Sequence, residues 1–277
     1  MKLALLHPGE MGVSIGMAMA ASGHTVGWLS EGRGPQTHAR ASAAGFSAHA
    51  TLDELLEGSA GVVSVCPPHA AVEVARGVIA GGYTGLYVDA NAVSPNTARS
   101  IGDSVGENYV DGGIVGPPAL QAGSTRLYLS GLHAEDVQAW FVQGFVETLV
   151  IGTDRAQASA LKMCYAAYTK GTSALLLAIR ALAEAEGVTE GLLGEWQRSQ
   201  PGLPERSERA AHGTSKKAWR FVGEMQEIAA SFEGADLPGG FHEAAADVFR
   251  RMADLKDVDQ PTLALVLERL LGSSAKA

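Results

Sequence analysis

Short apolar runs alternate with helical patterns through the first half of the chain. Strands are predicted at Lys2–His7, Thr25–Ser30, Gly61–Cys66, Leu86–Ala90, Asn108–Gly112, Arg126–Ser130 and Thr148–Ile151. A turn after the first strand leads into a helix predicted at Met11–Ala21. Strands that alternate with helices predict right-handed βαβ units and a mainly parallel sheet. Nearly continuous apolar strands, such as the one at 61–66, suit a sheet that is covered on both faces.

The pattern changes near Gly152, after which only helices are predicted. Asp154 can cap a long helix, with Gln157 completing a capping box. This helix is predicted at Arg155–Glu186, which contains no proline and many Ala and Leu. Breaks between the later helices are predicted near Ser199–Pro204, Gly213 and Gly234–Gly240. We therefore predict an α/β domain at 1–153 and an all-helical domain at 154–277.

Composition and charge narrow the class of protein. The 277 residues are 46% hydrophobic and 18% charged, which is enough to bury sizeable cores. A net charge of −9 argues against a nucleic-acid surface, because phosphate binding needs clustered Lys and Arg. Cys66 and Cys164 form neither a disulfide framework nor a metal-ligand pattern, so a reducing cytoplasm is expected. The sequence has no uninterrupted apolar run of about 18 residues, so no membrane span is expected.

A glycine-rich turn, HPGEMG at 7–12, joins the first strand to the first helix. A dinucleotide-binding turn has the pattern G-x-G-x-x-G, whose glycines permit a tight turn and let a pyrophosphate approach the helix N-terminus. His7 stands in place of the first glycine. We interpret Gly9, Glu10, Met11 and Gly12 as cofactor-binding positions of a Rossmann-type doubly wound sheet. An ordinary βα turn is the alternative.

The end of the second strand bears on the choice between NAD and NADP. An acidic residue there binds a ribose 2′-hydroxyl, whereas an arginine accommodates a 2′-phosphate. Ser30 stands where the strand should end, and Glu31 and Arg33 follow. Arginine geometry suits phosphate oxygens, so Ser30 and Arg33 favour NADP(H), although Glu31 weakens the distinction. The alternative is that Arg33 is a solvated loop charge.

The order of these motifs resembles that of the β-hydroxyacid dehydrogenases, the family of 3-hydroxyisobutyrate and 6-phosphogluconate dehydrogenases. HPGEMG resembles its G-L-G-x-M-G signature, and VVSVCPP resembles its next segment. VDANAVSP at 88–95 resembles its D-x-S-T-x-S-P segment. VDGGIVGPP at 110–118 stands where the family has D-A-P-V-S-G-G, and SALKMCYAAYTKG at 159–171 stands where it has its catalytic lysine helix. HGTSKKAWRFVGEMQEIAA and FHEAAADVFRRM resemble a subfamily with its own helical domain of unknown function.

The resemblance implies that Lys162 is the catalytic general acid and base. Independently, a lysine on an apolar helix face is costly unless it is paired or functional, and its ammonium could protonate a developing alkoxide. A lysine that snorkels to solvent is the alternative. Tyr165, on the same face, is a second candidate donor, although packing is the commoner role of such a tyrosine. Two family positions differ: the substrate-binding serine falls at Val115 and an asparagine at Ala166.

Further candidates follow the later strands. By position in the resembling segments, Cys66 and Pro67 are expected to border the cofactor. Asn91 follows the end of a strand, where ligands bind in doubly wound sheets, and could contact the nicotinamide or ribose. The alternative is that Asn91 is a turn residue without a function. In the next segment, Gly112, Gly113 and Gly116 are expected to form a loop whose N–H groups face a substrate. A flexible connector is the alternative.

The helical half offers weaker candidates. Glu224 and Glu227 lie three residues apart on one helix, but no histidine completes a metal-ligand pattern, so no metal is expected and solvated carboxylates are favoured. His242 begins a helix and reads as a cap-region residue, and Lys170 reads as structural or solvated.

These patterns predict an NADP(H)-dependent oxidoreductase that transfers hydride between the nicotinamide and a C=O bond, in a cleft between the two domains. An imine reductase, a non-catalytic nucleotide-binding regulator and an S-adenosylmethionine-dependent methyltransferase are the alternatives. Retention of Lys162 and the order of the later segments count against them. The Ala- and Leu-rich helices also predict a homodimer, and the changes at Val115 and Ala166 predict a substrate other than a simple 3-hydroxy acid.

Overall fold

The computed structural model describes residues 1–272, and residues 1–163 are built around one eight-stranded sheet. Its strands are β1 (Lys2–Leu6), β2 (Thr25–Leu29), β3 (Ser47–His49), β4 (Gly61–Ser64), β5 (Leu86–Asp89), β6 (Tyr109–Val115), β7 (Thr125–Ser130) and β8 (Val146–Gly152). The spatial order is β3-β2-β1-β4-β5-β6-β7-β8. The first six strands are mutually parallel, whereas β7 pairs antiparallel with β6 and parallel with β8. The predicted doubly wound, mainly parallel sheet is confirmed.

Helices cover both faces of the sheet, because its strands are apolar on both sides. They are α1 (Glu10–Ala21), α2 (Pro35–Ala43), α3 (Leu52–Leu56), α4 (Ala71–Ala80), α5 (Pro95–Val105) and α6 (Ala134–Gln138). One buried cluster includes Leu3, Leu5 and Trp28, and another includes Ala4, Leu6 and Tyr87. Residues that alternate along β1 therefore enter different cores, as the period of two in a strand requires.

Two neighbouring strands carry the same triplet at the same level. Tyr87-Val88-Asp89 of β5 pairs in register with Tyr109-Val110-Asp111 of β6. Both tyrosines and both aspartates are buried. The pairing therefore places the phenol of Tyr87 beside that of Tyr109, and the carboxyl of Asp89 beside that of Asp111.

Most predicted strands lie within one or two residues of the observed ones. Two differences matter. β3 was not predicted, because three residues give no measurable periodicity. β6 was predicted to end at Gly112 but continues to Val115, since Gly112 and Gly113 pair with Leu129 and Tyr128 of β7.

The remainder of the described chain is helical, as predicted. The helices are α7 (Gln157–Ala185), α8 (Thr189–Ser199), α9 (Leu203–Thr214), α10 (Ala218–Glu233), α11 (Gly240–Arg251) and α12 (Leu263–Leu271). The predicted breaks near 199–204, 213 and 234–240 coincide with the ends of these helices. Two polar groups fix the start of α7: the Asp154 carboxylate accepts from the Ala156 N–H at 3.0 Å, and the Gln157 side chain accepts from the Asp154 N–H at 3.3 Å.

The chain divides into two compact units within α7, at Met163 and Cys164. The sequence placed the functional boundary at 153 and 154, before this helix, and that division stays a prediction. Within the second unit, Met225, Ile228, Phe249 and Met252 are fully buried and form the centre of the helical packing. Across residues 1–272, no helix is both long enough and apolar enough to cross a membrane.

Candidate active site

The predicted cofactor residues follow strands whose carboxyl ends share one edge of the sheet. The glycine turn follows β1, Ser30 and Arg33 follow β2, and Cys66 and Pro67 follow β4. Asn91 follows β5. Because these strands are parallel, all of these segments lie at the edge where ligands bind in doubly wound folds.

The turn after β1 is tight, and its backbone has two positions that favour glycine. His7, in place of the first glycine, has φ of 67°, a left-handed conformation that favours glycine. A Cβ on Gly12 would lie 2.3 Å from the carbonyl oxygen of His7, so only glycine lets α1 pack this close. Gly9 is the N-cap of α1 and supplies no side-chain cap, and a Cβ on it would meet nothing within 4 Å. The first N–H groups of α1, at Glu10, Met11 and Gly12, have no acceptor within the helix, and an exposed helix N-terminus of this kind suits an anion.

Arg33 lies close to this turn and to the end of β4. It closes a turn in which its N–H donates to the Ser30 carbonyl at 3.3 Å, and the Ser30 hydroxyl donates to the His49 carbonyl at 2.8 Å. Arg33 is half-buried, its burial lowers the pKa of the guanidinium, and its Nε has no hydrogen-bond partner in residues 1–272. A half-buried cation with an unpartnered N–H suits a phosphate group.

The neighbours of Arg33 are uncharged at neutral pH. Burial, and second the Arg33 cation, lower the pKa of His7 to about 4. Burial raises the pKa of the Cys66 thiol to about 11, against a hydrogen bond with Ser64 and the Arg33 charge. Arg33 is therefore the charged member of this group of three side chains.

Asn91 joins the ends of two strands. Its Oδ1 accepts from the Cys66 N–H at 2.5 Å, and its Nδ2 donates to the Ser64 hydroxyl at 3.1 Å. Its own N–H donates to an Asp89 carboxylate oxygen at 3.0 Å. These bonds give Asn91 a structural role in the floor of the site, and its contact with a cofactor stays a prediction. Pro67, next to Cys66, is exposed.

Lys162 is held at the carboxyl end of β6. It is half-buried, and its Nζ donates to the Ile114 carbonyl oxygen at 2.7 Å. A side chain fixed in this way differs from one that snorkels freely into solvent. The carbonyl draws the amino group towards the edge of the sheet that also carries the glycine turn.

The prediction that Gly112, Gly113 and Gly116 form a loop is wrong for Gly112 and Gly113, because both lie inside β6. Their absent side chains have a steric role. A Cβ on Gly113 would lie 2.5 Å from the Ala158 carbonyl oxygen, and one on Gly112 would lie 3.0 Å from the Asp89 carbonyl oxygen. Gly116 follows β6 with φ of 122°, where a Cβ would approach the Ser124 carbonyl oxygen to 2.2 Å. The glycines therefore let β6 lie against its neighbours, and their contact with a substrate stays a prediction.

A polar network that was not predicted connects β6 to the first turn of α7. Asp111 is fully buried, and its two carboxylate oxygens accept from the Ser159 N–H at 2.8 Å and the Ser159 hydroxyl at 2.6 Å. The Ser130 hydroxyl donates to Asp111 at 3.2 Å and accepts from the Ala158 N–H at 3.0 Å. Burial raises the pKa of the Asp111 carboxyl to about 6, against these hydrogen bonds, which lower it. The available signal in the sequence was an aspartate inside an otherwise apolar strand.

The two family positions that differ are apolar and buried in this chain. Val115 and Ala166 are only 3% and 1% exposed. Neither side chain can form a hydrogen bond. Tyr165, in contrast, is 47% exposed.

In the helical unit, the expectation of a solvated Glu224 is wrong. The Lys170 ammonium donates to the Glu224 carboxylate at 2.5 Å, with both side chains largely buried, and it lies 5.0 Å from the Phe221 ring centre. His242 is buried between Phe232 and Phe241, and burial lowers its pKa. Within the described residues, no group of three or more His, Cys, Asp and Glu side chains could hold a metal ion.

Comparison with known proteins connects this geometry to a fold family. Residues 183–252 match the model of a domain of unknown function, DUF1932. An uncharacterized 28.5 kDa protein of Methanothermus fervidus is 32% identical over 165 residues, which are 59% of this chain and 63% of that protein. The chain thus spans less than two thirds of this curated relative.

Solved structures match over nearly the whole chain. One is a conserved protein of unknown function, described as structurally similar to 3-hydroxyacid dehydrogenases. It is 25% identical, has a TM-score of 0.67, and the match covers 92% of this chain and 97% of that one. The 3-hydroxyisobutyrate dehydrogenase of Mycobacterium tuberculosis, solved with L-serine, is 16% identical with a TM-score of 0.72, over 98% and 99% of the two chains. This chain has the 3-hydroxyacid dehydrogenase fold.

A third match extends the range of chemistry found on this fold. The reductive aminase of Aspergillus terreus, solved with NADPH and ethyl levulinate, is 18% identical with a TM-score of 0.56, over 96% and 98% of the two chains. The sequence resemblance to a dehydrogenase-like fold with a helical domain of unknown function is confirmed. At these identities the matches establish the fold.

Proposed function

We propose that this dehydrogenase-like chain is an NADP(H)-dependent oxidoreductase that transfers hydride between the nicotinamide and a C=O bond of a small molecule. One observation carries the proposal: the Lys162 amino group is anchored on the Ile114 carbonyl at the carboxyl end of β6. The glycine turn and Arg33 lie at that same edge of the sheet. A cofactor cradle and a proton donor on one sheet edge are the two parts that such a reaction needs.

The residues at this edge fit a phosphorylated dinucleotide. The open N–H groups of Glu10, Met11 and Gly12 would bind the pyrophosphate, and the half-buried Arg33 would bind a 2′-phosphate beside Ser30. Cys66, Pro67 and Asn91 would border the cofactor. When bound, the cofactor supplies or accepts the hydride.

Lys162 would donate a proton to the oxygen of a carbonyl substrate, or accept one from an alcohol. The Ile114 carbonyl fixes the position of the ammonium, which has three N–H donors in all. Tyr165 remains the second candidate donor.

A cofactor titration tests the choice of NADP. Arg33→Ala should weaken NADPH binding by about 1–3 kcal/mol, the range of a charge-assisted contact, and leave NADH binding almost unchanged. Arg76→Ala is the matched control, because Arg76 is exposed and pairs with Glu73 on α4. Equal losses for both cofactors would contradict the assignment.

A turnover assay tests the role of Lys162. Lys162→Met should reduce kcat by at least about 100-fold while NADPH still binds. Lys217→Met removes an exposed lysine and should leave kcat unchanged. Near-normal turnover in Lys162→Met would transfer the role to another group, with Tyr165 tested next.

The substrate is proposed to be a larger or less acidic carbonyl compound, or a cyclic imine. Val115 and Ala166 offer no hydrogen bond where the resembling family holds a hydroxy acid, and each lost bond to a charged group costs about 1.5–3 kcal/mol. Neutral ketones and cyclic imines should therefore have higher kcat/KM than 3-hydroxyisobutyrate. A kcat/KM of about 10⁴ M⁻¹s⁻¹ or more for 3-hydroxyisobutyrate would refute this. Faster turnover of imines than of ketones would identify an imine reductase, and NADPH binding without turnover would favour a regulatory protein.

A further inference from the structure

The start of α7 is attached to β6 at two points, one at Ser159 and the other at Lys162 itself. At one point, Ser159 donates its N–H and its hydroxyl to the Asp111 carboxylate. At the other, the Lys162 ammonium donates to the Ile114 carbonyl. Asp111 and Ile114 are three residues apart on the strand, and Ser159 and Lys162 are three residues apart on the helix. The strand therefore holds this helical turn over its whole length.

Between these two points the helix lies so close to the strand that a side chain on the strand would not fit. Gly113 lies there, and a Cβ on it would be 2.5 Å from the Ala158 carbonyl oxygen and 3.2 Å from the Lys162 Cβ. Such contact leaves little freedom for the helix to move towards the strand. The hydrogen bonds from Ser159 to Asp111 prevent the first turn of the helix from moving away from the strand.

We propose that Asp111 is a positioning residue for Lys162. Its carboxylate fixes the first turn of α7 on β6, with Ser130 as a second support, and so sets where the Lys162 amino group lies. The proposal rests on the proposed function for its consequence in catalysis, but the placement of Lys162 can be measured without any substrate. A displacement of about 1 Å at a catalytic group can cost roughly 100-fold in rate, so this attachment matters to the reaction.

The network can hold the helix in two protonation states. Ionised Asp111 accepts from Ser159 and Ser130, as observed. A protonated carboxyl can instead donate to the Ser159 hydroxyl, because a serine hydroxyl both donates and accepts. Protonation of Asp111 therefore reverses the hydrogen bond with the Ser159 hydroxyl, and the remaining hydrogen bonds no longer involve a charged acceptor. We expect this change to move the helical turn that carries Lys162.

Few other titratable groups surround this carboxyl. Tyr109 lies on its own strand, and Tyr87 and Asp89 lie on β5; the pKa of Tyr109 is raised by burial first and then by the charges of Asp89 and Asp111. From α7 and β7, the groups that donate hydrogen bonds around this carboxyl are the uncharged ones of Ser159, Ala158 and Ser130, and the Lys162 ammonium lies one helical turn further along α7. Because Asp89 is a second buried carboxyl on the paired strand, a titration step at this site is assigned to Asp111 by its loss in Asp111→Asn.

The experiment follows the NMR signal of the Lys162 side chain in protein labelled with ¹³C at the lysine ε carbon, with the signal assigned by Lys162→Arg. In the wild type, the signal should show a step with a midpoint near the Asp111 pKa of about 6. The step should vanish in Asp111→Asn. The Lys170 signal, which reports on a different ion pair, should show no such step in either protein. No step in the wild type, or one that persists in Asp111→Asn, would overturn the proposal.

Ser159→Ala keeps the test decisive if Asp111→Asn does not fold. It removes the hydroxyl bond at 2.6 Å and retains the N–H bond to the carboxylate. Since the Ser159 hydroxyl lowers the pKa of Asp111, its loss should move the Lys162 step to higher pH. An unmoved step would count against the proposal.

The catalytic consequence is measured separately. With any substrate that the wild type turns over, Asp111→Asn should lower kcat by roughly 10–100-fold and leave the affinity for NADPH unchanged. Unchanged kcat would overturn the positioning role in catalysis. If the wild type turns over no substrate, the proposed function fails, whereas the NMR titration still decides whether Asp111 places Lys162.

Discussion

The contribution of Asp111 to the stability of residues 1–163 should fall as pH rises through the titration of this carboxyl. Burial raises the pKa of this carboxyl from 3.8 to about 6 in the folded protein. The folded state therefore binds the proton more tightly than the unfolded state does. Its contribution to stability is complete below the unfolded pKa of 3.8 and is lost as pH rises through the folded pKa of about 6. A shift of roughly 2 units, at about 1.4 kcal/mol per unit, amounts to about 3 kcal/mol.

Urea unfolding of matched proteins isolates this contribution. Trp28 and Trp140 are buried in the first unit, so changing Trp196 and Trp219 to Phe makes tryptophan fluorescence report on that unit alone. In this background, Asp111→Asn removes the titrating group. All other carboxylates are shared and cancel in the difference between the two proteins.

The free energy of unfolding of the Asp111 protein, minus that of its Asn variant, should fall by about 2 kcal/mol between about pH 4 and pH 7, since part of the contribution is already lost at pH 4. The matched control is Asp103→Asn, which removes an exposed carboxylate that lies 3.8 Å from Arg155. The change found for Asp111 is compared with the change found for this variant. A difference for Asp111 that is flat, or that grows with pH, would refute the assignment of a raised pKa to this carboxyl.

Two further predictions concern packing. Gly113→Ala should destabilise the protein by about 1–3 kcal/mol in urea, because the new Cβ would approach the Ala158 carbonyl oxygen. Gly223→Ala, inside α10 with open space around the new Cβ, should not destabilise it. Equal losses in the two variants would contradict the steric reason. We also expect a homodimer by light scattering at micromolar concentration, since Tyr168 and Leu175 are exposed seven residues apart on α7. A monomer would count against this.

The sequence predicted the parallel sheet and the helical half well, because both depend on local periodicity. It failed where distant partners decide the outcome. Gly112 and Gly113 suggested a loop, yet pairing with β7 and the approach of α7 keep them in a strand. Glu224 looked like a solvated carboxylate until Lys170, 54 residues away, became its partner.

The candidate site shows the same division. The turn at HPGEMG and Lys162 could be identified from motifs and from the resemblance. The partner of Lys162, a backbone carbonyl at Ile114, leaves no mark on the sequence. Asp111 was visible as a buried polar residue in an apolar strand, but its attachment to Ser159 joins residues 48 apart.

The Tyr-Val-Asp triplet shared by β5 and β6 makes these two neighbours interchangeable over three residues while the chain folds. A chain that put β5 in the place of β6 would keep both buried phenols and both carboxyls at their levels in the sheet. The residues that follow differ, because Ala90 and Asn91 would stand where Gly112 and Gly113 belong. An asparagine side chain at the second position would collide with the Ala158 carbonyl, which lies 2.5 Å from the place of a Cβ. An exchanged sheet would therefore not accept α7 at its native distance, so the glycine pair favours the native order of strands over this alternative.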